Sequence, residues 1–133
     1  MRLTTRSEYA LIALIYLGRK WRGGFVSVGT IAQAQDIPAK YLEQILLALK
    51  RAHCVHSVKG HGGGYKLAKP PDQITLAEVV RLFEGPLAPT ASASRYFYES
   101  TPIEHERKLV GLFKEIRRFV SDKLEATTIA DML

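Results

Sequence analysis

Cysteine and long apolar runs are scarce in this sequence, and each shortage excludes a class of protein. The 133 residues contain one cysteine, Cys54, so no internal disulfide can form and a cysteine-ligated metal cluster is not expected. The longest apolar run covers residues 10–17, far short of the roughly 20 residues that a membrane span needs. It follows MRLTTRSEY directly and has no small-residue cleavage site, so we do not expect a signal peptide. We therefore expect a cytoplasmic protein that does not associate with membranes.

Residue patterns typical of enzymes are missing as well. The chain offers no Ser–His–Asp set, no paired acids and no metal-ligating cluster at a useful spacing, so we do not expect an enzyme. Its length is that of one domain, or of one domain with an additional oligomerisation element.

Negative charge is scarce in the first half of the chain. Residues 1–70 contain 11 Lys/Arg against 3 Asp/Glu, a net charge of +8, whereas residues 71–133 contain 8 against 10, a net charge of −2. A positive field confined to one half is typical of a protein with a polyanionic partner. A basic surface that only contacts solvent is the alternative at this point.

Two short helical patterns separated by a tight turn follow the first helix. Ser27 is a predicted N-cap for a helix over residues 28–34, and a second helix is predicted from Pro38 to about Ala52. Apolar residues of the second helix recur at spacings of three and four, at Leu42, Ile45, Leu46 and Leu49. Its polar leading edge contains Lys40, Tyr41, Glu43 and Gln44. Such a pair of helices predicts a helix-turn-helix.

A glycine-rich stretch, VKGHGGGYKLA at residues 58–68, follows the second helix. A nucleotide-binding loop would open a helix or end in Lys-Ser/Thr, and neither feature is present. Two β-leaning segments, residues 55–59 and 65–69, flank the glycines and predict a hairpin wing. Glycines supply the positive φ of a tip and let the backbone approach DNA closely. A glycine hairpin that contacts nothing is the alternative.

Three stretches have a hydroxyl residue with glutamate three positions later, the pattern of a capping box. They begin at Thr5, Thr75 and Thr101. The first predicts a helix from about Arg6 to Leu17, the second a helix ending near Glu84, and the third a long helix. Pro102 is suited to the first position of that long helix, which we expect to reach about Glu125.

The last helix has a wide apolar stripe with nearly seven-residue spacing. Packing on its own domain is one explanation, and a seam between two copies is the one that we favour. The predicted dimer-interface residues are Leu109, Leu112, Phe113, Ile116, Phe119, Val120 and Leu124.

Four segments together resemble one bacterial family. They are MRLTTRSEYAL, IAQAQDIPAKYLEQIL, VKGHGGGYKLAKPPDQITLAEVV and EGPL. They resemble the Rrf-type transcriptional regulators over about the first 88 residues, and the long helix matches in pattern. The resemblance implies a mainly α fold with a small β-hairpin wing. It also implies a homodimer whose long helix crosses to the other subunit. The recognition helix would enter the major groove and the wing the minor groove of a palindromic DNA operator.

Positions matched to the family supply most of the predicted DNA contacts. On the recognition helix and wing these are Lys40, Tyr41, Glu43, Gln44, Lys59, Gly60, His61, Gly62 and Gly63, and we add Arg2, Arg6, Ser27 and Lys66. Glu43 falls where some relatives read cytosine, which suits a carboxylate that accepts from the cytosine amino group. A surface glutamate repelled by phosphate is the alternative.

The sequence departs from cluster-binding members of the family in the loop before the long helix. Those members place three cysteines there, whereas residues 90–106 contain none. Glu8 matches an additional ligand of some relatives, but one carboxylate cannot hold a cluster. Adjacent residues Glu104 to Glu106 diverge at a helix start and are poor metal ligands. We therefore predict no cofactor and no metal site, and we interpret Cys54 as a buried, inert thiol, with a redox sensor as the alternative.

The resemblance is strongest to the cluster-free branch of the family. It implies a repressor of cysteine or sulfur metabolism, or of a redox response, with a small molecule or a partner enzyme as effector. The predicted organisation is a DNA-binding domain over residues 1–84, a linker and sensing loop over 85–101, and a dimerisation helix with a C-terminal turn over 102–133. An RNA- or protein-binding winged-helix adaptor is the rival hypothesis.

Overall fold

The computed structural model describes residues 2–133 and contains five α-helices and one two-stranded antiparallel sheet. The helices are α1 Thr5–Arg19, α2 Val28–Gln35, α3 Ala39–Arg51, α4 Leu76–Glu84 and α5 Arg107–Ala126, and the strands are β1 Val55–Val58 and β2 Gly64–Leu67. Three short 3-10 turns lie at Pro71–Gln73, Ala91–Ala93 and Ile129–Met132. The predicted fold class, mainly α with a hairpin wing, is confirmed. None of the helices within residues 2–133 is long and apolar enough to span a membrane.

Helix α1 is the centre of the main core, as its nearly continuous apolar sequence predicts. Ala10, Ala13 and Leu14 are fully buried, and the helix contacts α2, α3 and α4. The predicted cap at Thr5 is wrong by one residue, because Thr4 has the extended backbone of an N-cap and its hydroxyl accepts from the Ser7 N–H at 3.5 Å.

A contact with α4 accounts for this earlier start. The Glu84 carboxylate accepts from the Thr4 N–H at 2.8 Å and from the hydroxyls of Thr4 and Ser7. These hydrogen bonds hold the first turn of α1 against the end of α4. They also lower the pKa of Glu84, with the Ser7 hydroxyl as the largest cause.

The helix-turn-helix forms as predicted. The Ser27 hydroxyl accepts from the Thr30 N–H at 3.2 Å and caps α2. Asp36 ends α2 in the left-handed conformation, with φ of 54°, and Asp and Asn are among the few non-glycine residues that adopt this conformation readily. The predicted stripe on α3 is buried to 1% exposure or less, at Leu42, Ile45, Leu46 and Leu49.

The hairpin is shorter than predicted, with Val55 opposite Leu67 and Val58 opposite Gly64. Residues 59–63 form its tip. A third segment joins its base, where Val26 and Tyr65 exchange backbone hydrogen bonds of 2.7 and 2.8 Å. This close approach requires glycine next to Tyr65, because a Cβ on Gly64 would lie 2.1 Å from the Val26 carbonyl oxygen. The base of the hairpin is therefore fixed against the chain that leads into α2.

Helix α4 begins with the predicted capping box. The Thr75 hydroxyl accepts from the Glu78 N–H at 3.1 Å, and the Glu78 carboxylate accepts from the Thr75 N–H at 3.0 Å. Gly85, with φ of 80°, ends the helix. Prediction and structure agree on both boundaries of this helix.

Helix α5 begins at Arg107, five residues later than the predicted start at Pro102. The capping box predicted at Thr101 does not form, since both of its side chains have other partners. The Thr101 hydroxyl bonds to Ser92 at 2.7 Å, and the Glu104 carboxylate accepts from the Ser100 hydroxyl. The segment forms turns instead, in which the Glu104 N–H donates to the Thr101 carbonyl at 3.0 Å.

The segment after α5 returns to the main core. Ile129 is fully buried there, and its N–H donates to the Ile74 carbonyl at 2.9 Å. Thr128 and Asp131 form the capping box of the final turn. The C-terminal turn is thus packed against α1, where a Cβ on Gly18 would meet Ile129 at 3.1 Å.

Candidate nucleic-acid interface

Helices α1 to α4 and the hairpin form one body, residues 4–85, which we call the winged unit. Helix α3 lies on its surface with one face buried and the opposite face in solvent. The four predicted contact residues on α3 are all exposed, and they are Lys40, Tyr41, Glu43 and Gln44. Because the buried stripe of α3 fixes its rotation, these side chains point together away from the core. An exposed face of this kind on the second helix is what insertion into a major groove requires.

Tyr41 links α3 to the start of α1. It is 58% exposed and lines a shallow pocket with Thr5, Arg6 and Tyr9. The Arg6 guanidinium lies 5.5 Å from the centre of the Phe83 ring, so a cation–π contact with α4 orients it. Arg2 lies in the exposed segment before α1. The structure therefore brings the first turn of α1 beside the start of α3.

The wing tip exposes a cation and an imidazole on a nearly bare backbone. Lys59, Gly60, His61 and Gly62 are exposed. Gly60 and Gly62 have positive φ, of 95° and 78°, with no neighbouring atoms where a Cβ would be. Gly63 differs, because a Cβ there would lie 2.3 Å from the Val58 carbonyl oxygen. Two glycines thus shape the open tip, and Gly63 allows the chain to close on itself.

Lys66 is further from the tip than the other predicted wing contacts. It is half-buried on β2, opposite His56, and its ammonium group lies 5.5 Å from the centre of the Phe25 ring. His56 is exposed. The position of Lys66 suits a phosphate that passes the side of the wing.

A groove connects α3 to the wing, and sequence reasoning missed part of it. Its lining includes Ser27 and Lys59, which were predicted contacts, and also Leu47 and Lys50. Leu47 is 42% exposed. Both missed residues follow Glu43 at helical spacings of four and seven, so the periodicity that located the polar edge could also have located them. The Ser27 hydroxyl is already engaged as a helix cap, at 2.8 Å from the Thr30 hydroxyl.

Most basic side chains of the winged unit have no carboxylate partner. Across residues 2–133 the ion pairs are Lys69–Glu78 at 3.2 Å and Arg81–Glu125 at 2.7 Å. Neither pair involves α3 or the wing tip. The cations at Lys40, Lys50 and Lys59 are therefore available to neutralise phosphates.

The predicted dimer residues on α5 divide into two groups. Leu109, Leu112, Ile116 and Phe119 are 39%, 50%, 40% and 75% exposed, and we call them the outer face. Phe113, Val120 and Leu124 are half-buried, and Leu124 packs against the small cluster of Ala77, Val80 and Leu87. The outer face is a continuous apolar strip on a helix whose other side packs on its own chain.

No group of three His, Cys, Asp or Glu side chains that could hold a metal occurs within residues 2–133. Cys54 is 1% exposed. Burial, with a smaller contribution from Glu78, raises the pKa of its thiol to about 11. At neutral pH the group is a protonated thiol in the core, which is the inert state.

Similarity to known proteins extends over nearly the whole chain. The family model described as Rrf2, iron-dependent transcriptional regulator, matches residues 3–133. The HTH-type transcriptional regulator CymR of Bacillus subtilis is 33% identical over 132 residues, which are 99% of this chain and 89% of CymR. The structure of CymR, the global cysteine regulator of B. subtilis, matches with a TM-score of 0.80 at 32% identity, covering 99% of this chain and 95% of CymR. The structure of T. potens IscR matches with a TM-score of 0.77 at 26% identity, covering 99% of this chain and 85% of IscR.

The residues of this chain do not fit the iron in that family description. An iron–sulfur cluster is held by several thiolates, and the one cysteine is buried with a pKa of about 11. In the loop before α5, Glu104 is engaged by Ser100. We therefore assign no step to iron in this protein.

Proposed function

The chain belongs to the Rrf2 family of DNA-binding transcriptional regulators, and from this premise we propose that it is a homodimeric repressor that binds a palindromic operator. The observation that supports this most directly is the exposed polar face of α3 beside an exposed glycine tip, with unpaired cations at Lys40 and Lys59. One helix and one wing per subunit would read each half-site.

Base readout is proposed for the exposed side chains of α3. Tyr41, Glu43 and Gln44 project from the face opposite the buried stripe. A glutamate accepts from the cytosine amino group, and a glutamine bonds to the adenine N6 and N7 atoms. Leu47, one turn further along, offers an apolar surface to a thymine methyl group.

Phosphate binding is proposed for the basic residues around α3 and the wing. Arg2, Arg6, Lys40 and Lys66 would contact the backbone on the sides of the major groove. Lys59 and the backbone of Gly60 to Gly63 would enter the minor groove, with His61 at the tip. Ser27 would contact a phosphate together with the backbone N–H groups of the first turn of α2. Each phosphate that is neutralised releases counterions, which favours binding at low salt.

Dimerisation is proposed through the outer face of α5. Burial of an apolar side chain contributes about 1.5–3 kcal/mol relative to leaving it exposed, and Phe119 is 75% exposed in the single chain. Phe113, Val120 and Leu124 would border this seam. The division into residues 1–84, 85–101 and 102–133 remains our proposed organisation, with the last turn packed back on the first part.

Cysteine or sulfur metabolism is the proposed field of regulation. CymR of B. subtilis, named as a global cysteine regulator, matches 99% of this chain at a TM-score of 0.80. The effector would be a small molecule or a partner enzyme that binds one arrangement of the two winged units better than another. A direct response of Cys54 to oxidants is not favoured, because its buried thiol has a pKa of about 11. We also propose a cytoplasmic location, because the proposed target is bacterial DNA.

Selection of bound fragments from random DNA tests this proposal. We expect a palindromic motif, and we expect the same motif and affinity after mild thiol oxidation. The Glu43→Gln variant should change the preferred base at one position of each half-site, whereas Glu115→Gln, on the exposed surface of α5, should leave the motif unchanged. Absence of any preferred duplex sequence would contradict the proposal.

A further inference from the structure

We propose that a cleft between α4, α5 and the loop that joins them is a binding site for a small oxyanion. Three arginines line it, one from each part, and they are Arg81, Arg95 and Arg117. Ser94, Tyr96 and Ser121 also line it. We call these six residues the arginine cleft.

Aromatic contacts hold two of the guanidinium groups at the cleft. The guanidinium carbon atoms of Arg81 and Arg95 each lie 5.1 Å from the centre of the Tyr96 ring. A cation over an aromatic ring retains its hydrogen-bonding edge for another partner. Arg81 is further positioned by Glu125, whose carboxylate accepts from it at 2.7 Å. Tyr96 thus contacts both guanidinium groups.

The third arginine has a hydrogen-bond donor without a partner. The Nε atom of Arg117 is buried and makes no hydrogen bond to residues 2–133. A buried donor that is left unsatisfied is destabilising, and more so when the group is charged. Ser121, 5% exposed, has only a long hydrogen bond of 3.4 Å, to the Arg118 carbonyl. An oxygen atom in the cleft would satisfy both groups.

Charge and size specify the class of ligand. The six residues of the cleft include three cations and no carboxylate, and Glu125 neutralises one of the three, which leaves a charge of +2. A dianion balances this charge. The volume of the cleft is about 10 Å³, room for about one water-sized atom. The ligand would therefore place one oxygen inside, while the exposed Arg95 closes over the others. Sulfate and hydrogen phosphate meet both conditions.

The location of the cleft connects it to regulation, a step that depends on the proposed function. Arg81 belongs to the winged unit and Arg117 to the helix proposed for dimerisation. An anion that bridges them would fix the angle between the two parts and so the separation of the two recognition helices. The ligand would act as effector by favouring one separation over another.

Binding is tested on the full chain by calorimetric titration with sodium sulfate and sodium phosphate, against sodium chloride at equal ionic strength. We expect saturable binding of the dianions alone, with a shift of the Arg117 Nε–H resonance. Arg117→Gln should weaken binding about tenfold or more, as expected for loss of a charged hydrogen bond. Arg118→Gln, the same charge change on the next residue, should have no effect. Arg117→Lys should restore only part of the affinity, because it retains the charge without the guanidinium.

Three outcomes would overturn the inference, and they are separable from the proposed function. Saturable binding that persists in Arg117→Gln would place the anion elsewhere, and no binding to the wild-type chain would exclude the site. Binding that leaves the affinity for the selected duplex unchanged would exclude the regulatory role. If sulfate binds but no duplex does, the proposed function fails while the site stands.

Discussion

The winged unit and helix α5 differ in how completely they bury their apolar residues. In α3, four of 13 residues are buried and form one wall of the core. In α5, only Val110 and Ser121 of 20 residues are buried, although the helix has a long apolar strip. The four residues of the outer face are each at least 39% exposed.

A single chain therefore completes the core of the winged unit but leaves the apolar strip of α5 exposed. The winged unit buries a continuous hydrophobic core, which Ile129 of the C-terminal turn completes, and its surface is mainly polar and basic with a few exposed apolar side chains such as Leu47. The apolar strip of α5 is unsatisfied in one chain, which is expected of a helix that pairs with a second copy. Changes in the two regions should therefore affect different measurements.

Truncation of the core of the winged unit should have the largest effect. Leu46 is fully buried and Leu47, the next residue, is 42% exposed. We expect Leu46→Ala to lower the free energy of unfolding by about 2–5 kcal/mol and Leu47→Ala to lower it by roughly 0.5 kcal/mol or less. Chemical denaturation followed by circular dichroism measures both. Equal losses of unfolding free energy in the two variants would show that α3 does not bury Leu46 and expose Leu47.

Loss of the outer face should affect assembly and leave the winged unit folded. We expect Phe119→Ser to weaken dimerisation by about 2 kcal/mol or more, roughly thirtyfold, as for a central interface residue. Arg118→Ser, the same replacement at the adjacent exposed position, is the control. Sedimentation equilibrium measures the dissociation constants. A Phe119→Ser protein that dimerises as well as the control would contradict the seam.

A smaller effect is expected from the wing. Lys59→Ala should remove about one phosphate contact and so reduce the slope of log K against log salt by about one. Lys108→Ala, an exposed lysine on α5, should leave the slope unchanged. Fluorescence anisotropy with a labelled operator, over a series of salt concentrations, gives both slopes. A slope that changes in Lys108→Ala but not in Lys59→Ala would contradict a phosphate contact by Lys59.

The smallest effect is expected from Glu84, which joins α1 to α4 inside the winged unit. Hydrogen bonds from Ser7 and Thr4 lower its pKa. Since the pKa is lower in the folded state, the carboxylate stabilises the fold above the ordinary glutamate pKa of about 4.3, and this is lost as the pH falls through the lowered value.

Thermal unfolding of wild type and Glu84→Gln as a function of pH tests this coupling. The wild-type chain should be more stable at pH 7, and the difference should vanish in acid. Glu115→Gln, exposed on α5, should show no such trend. A stability difference between the two proteins that grows as the pH falls would contradict a lowered pKa of Glu84 in the folded state.

Local patterns predicted the elements whose partners are local. The Thr75 box formed because Thr75 and Glu78 bond to each other, and the α3 stripe is buried as its periodicity predicts. The box at Thr101 failed because Ser92 and Ser100 engage its two side chains. The cap at Thr4 depends on Glu84, 80 residues away. A contact across 80 residues leaves no periodic signal in the sequence.

Sequence patterns predicted only part of the candidate site for the same reason. The polar edge of α3 and the glycine tip could be located from spacing alone, and extension of that spacing would have added Leu47 and Lys50. The place of Lys66 beside Phe25 could not be predicted, because it depends on how the hairpin packs against the chain before α2. The arginine cleft likewise combines residues from three separate segments.

The most direct test of a dimeric regulator is the stoichiometry of its complex with a selected palindromic duplex. Sedimentation velocity should show two chains on one duplex, and disruption of one half-site should weaken binding of the pair by at least tenfold. A complex with one chain per duplex, whose affinity is unchanged when either half-site is disrupted, would contradict a dimeric regulator with two reading units.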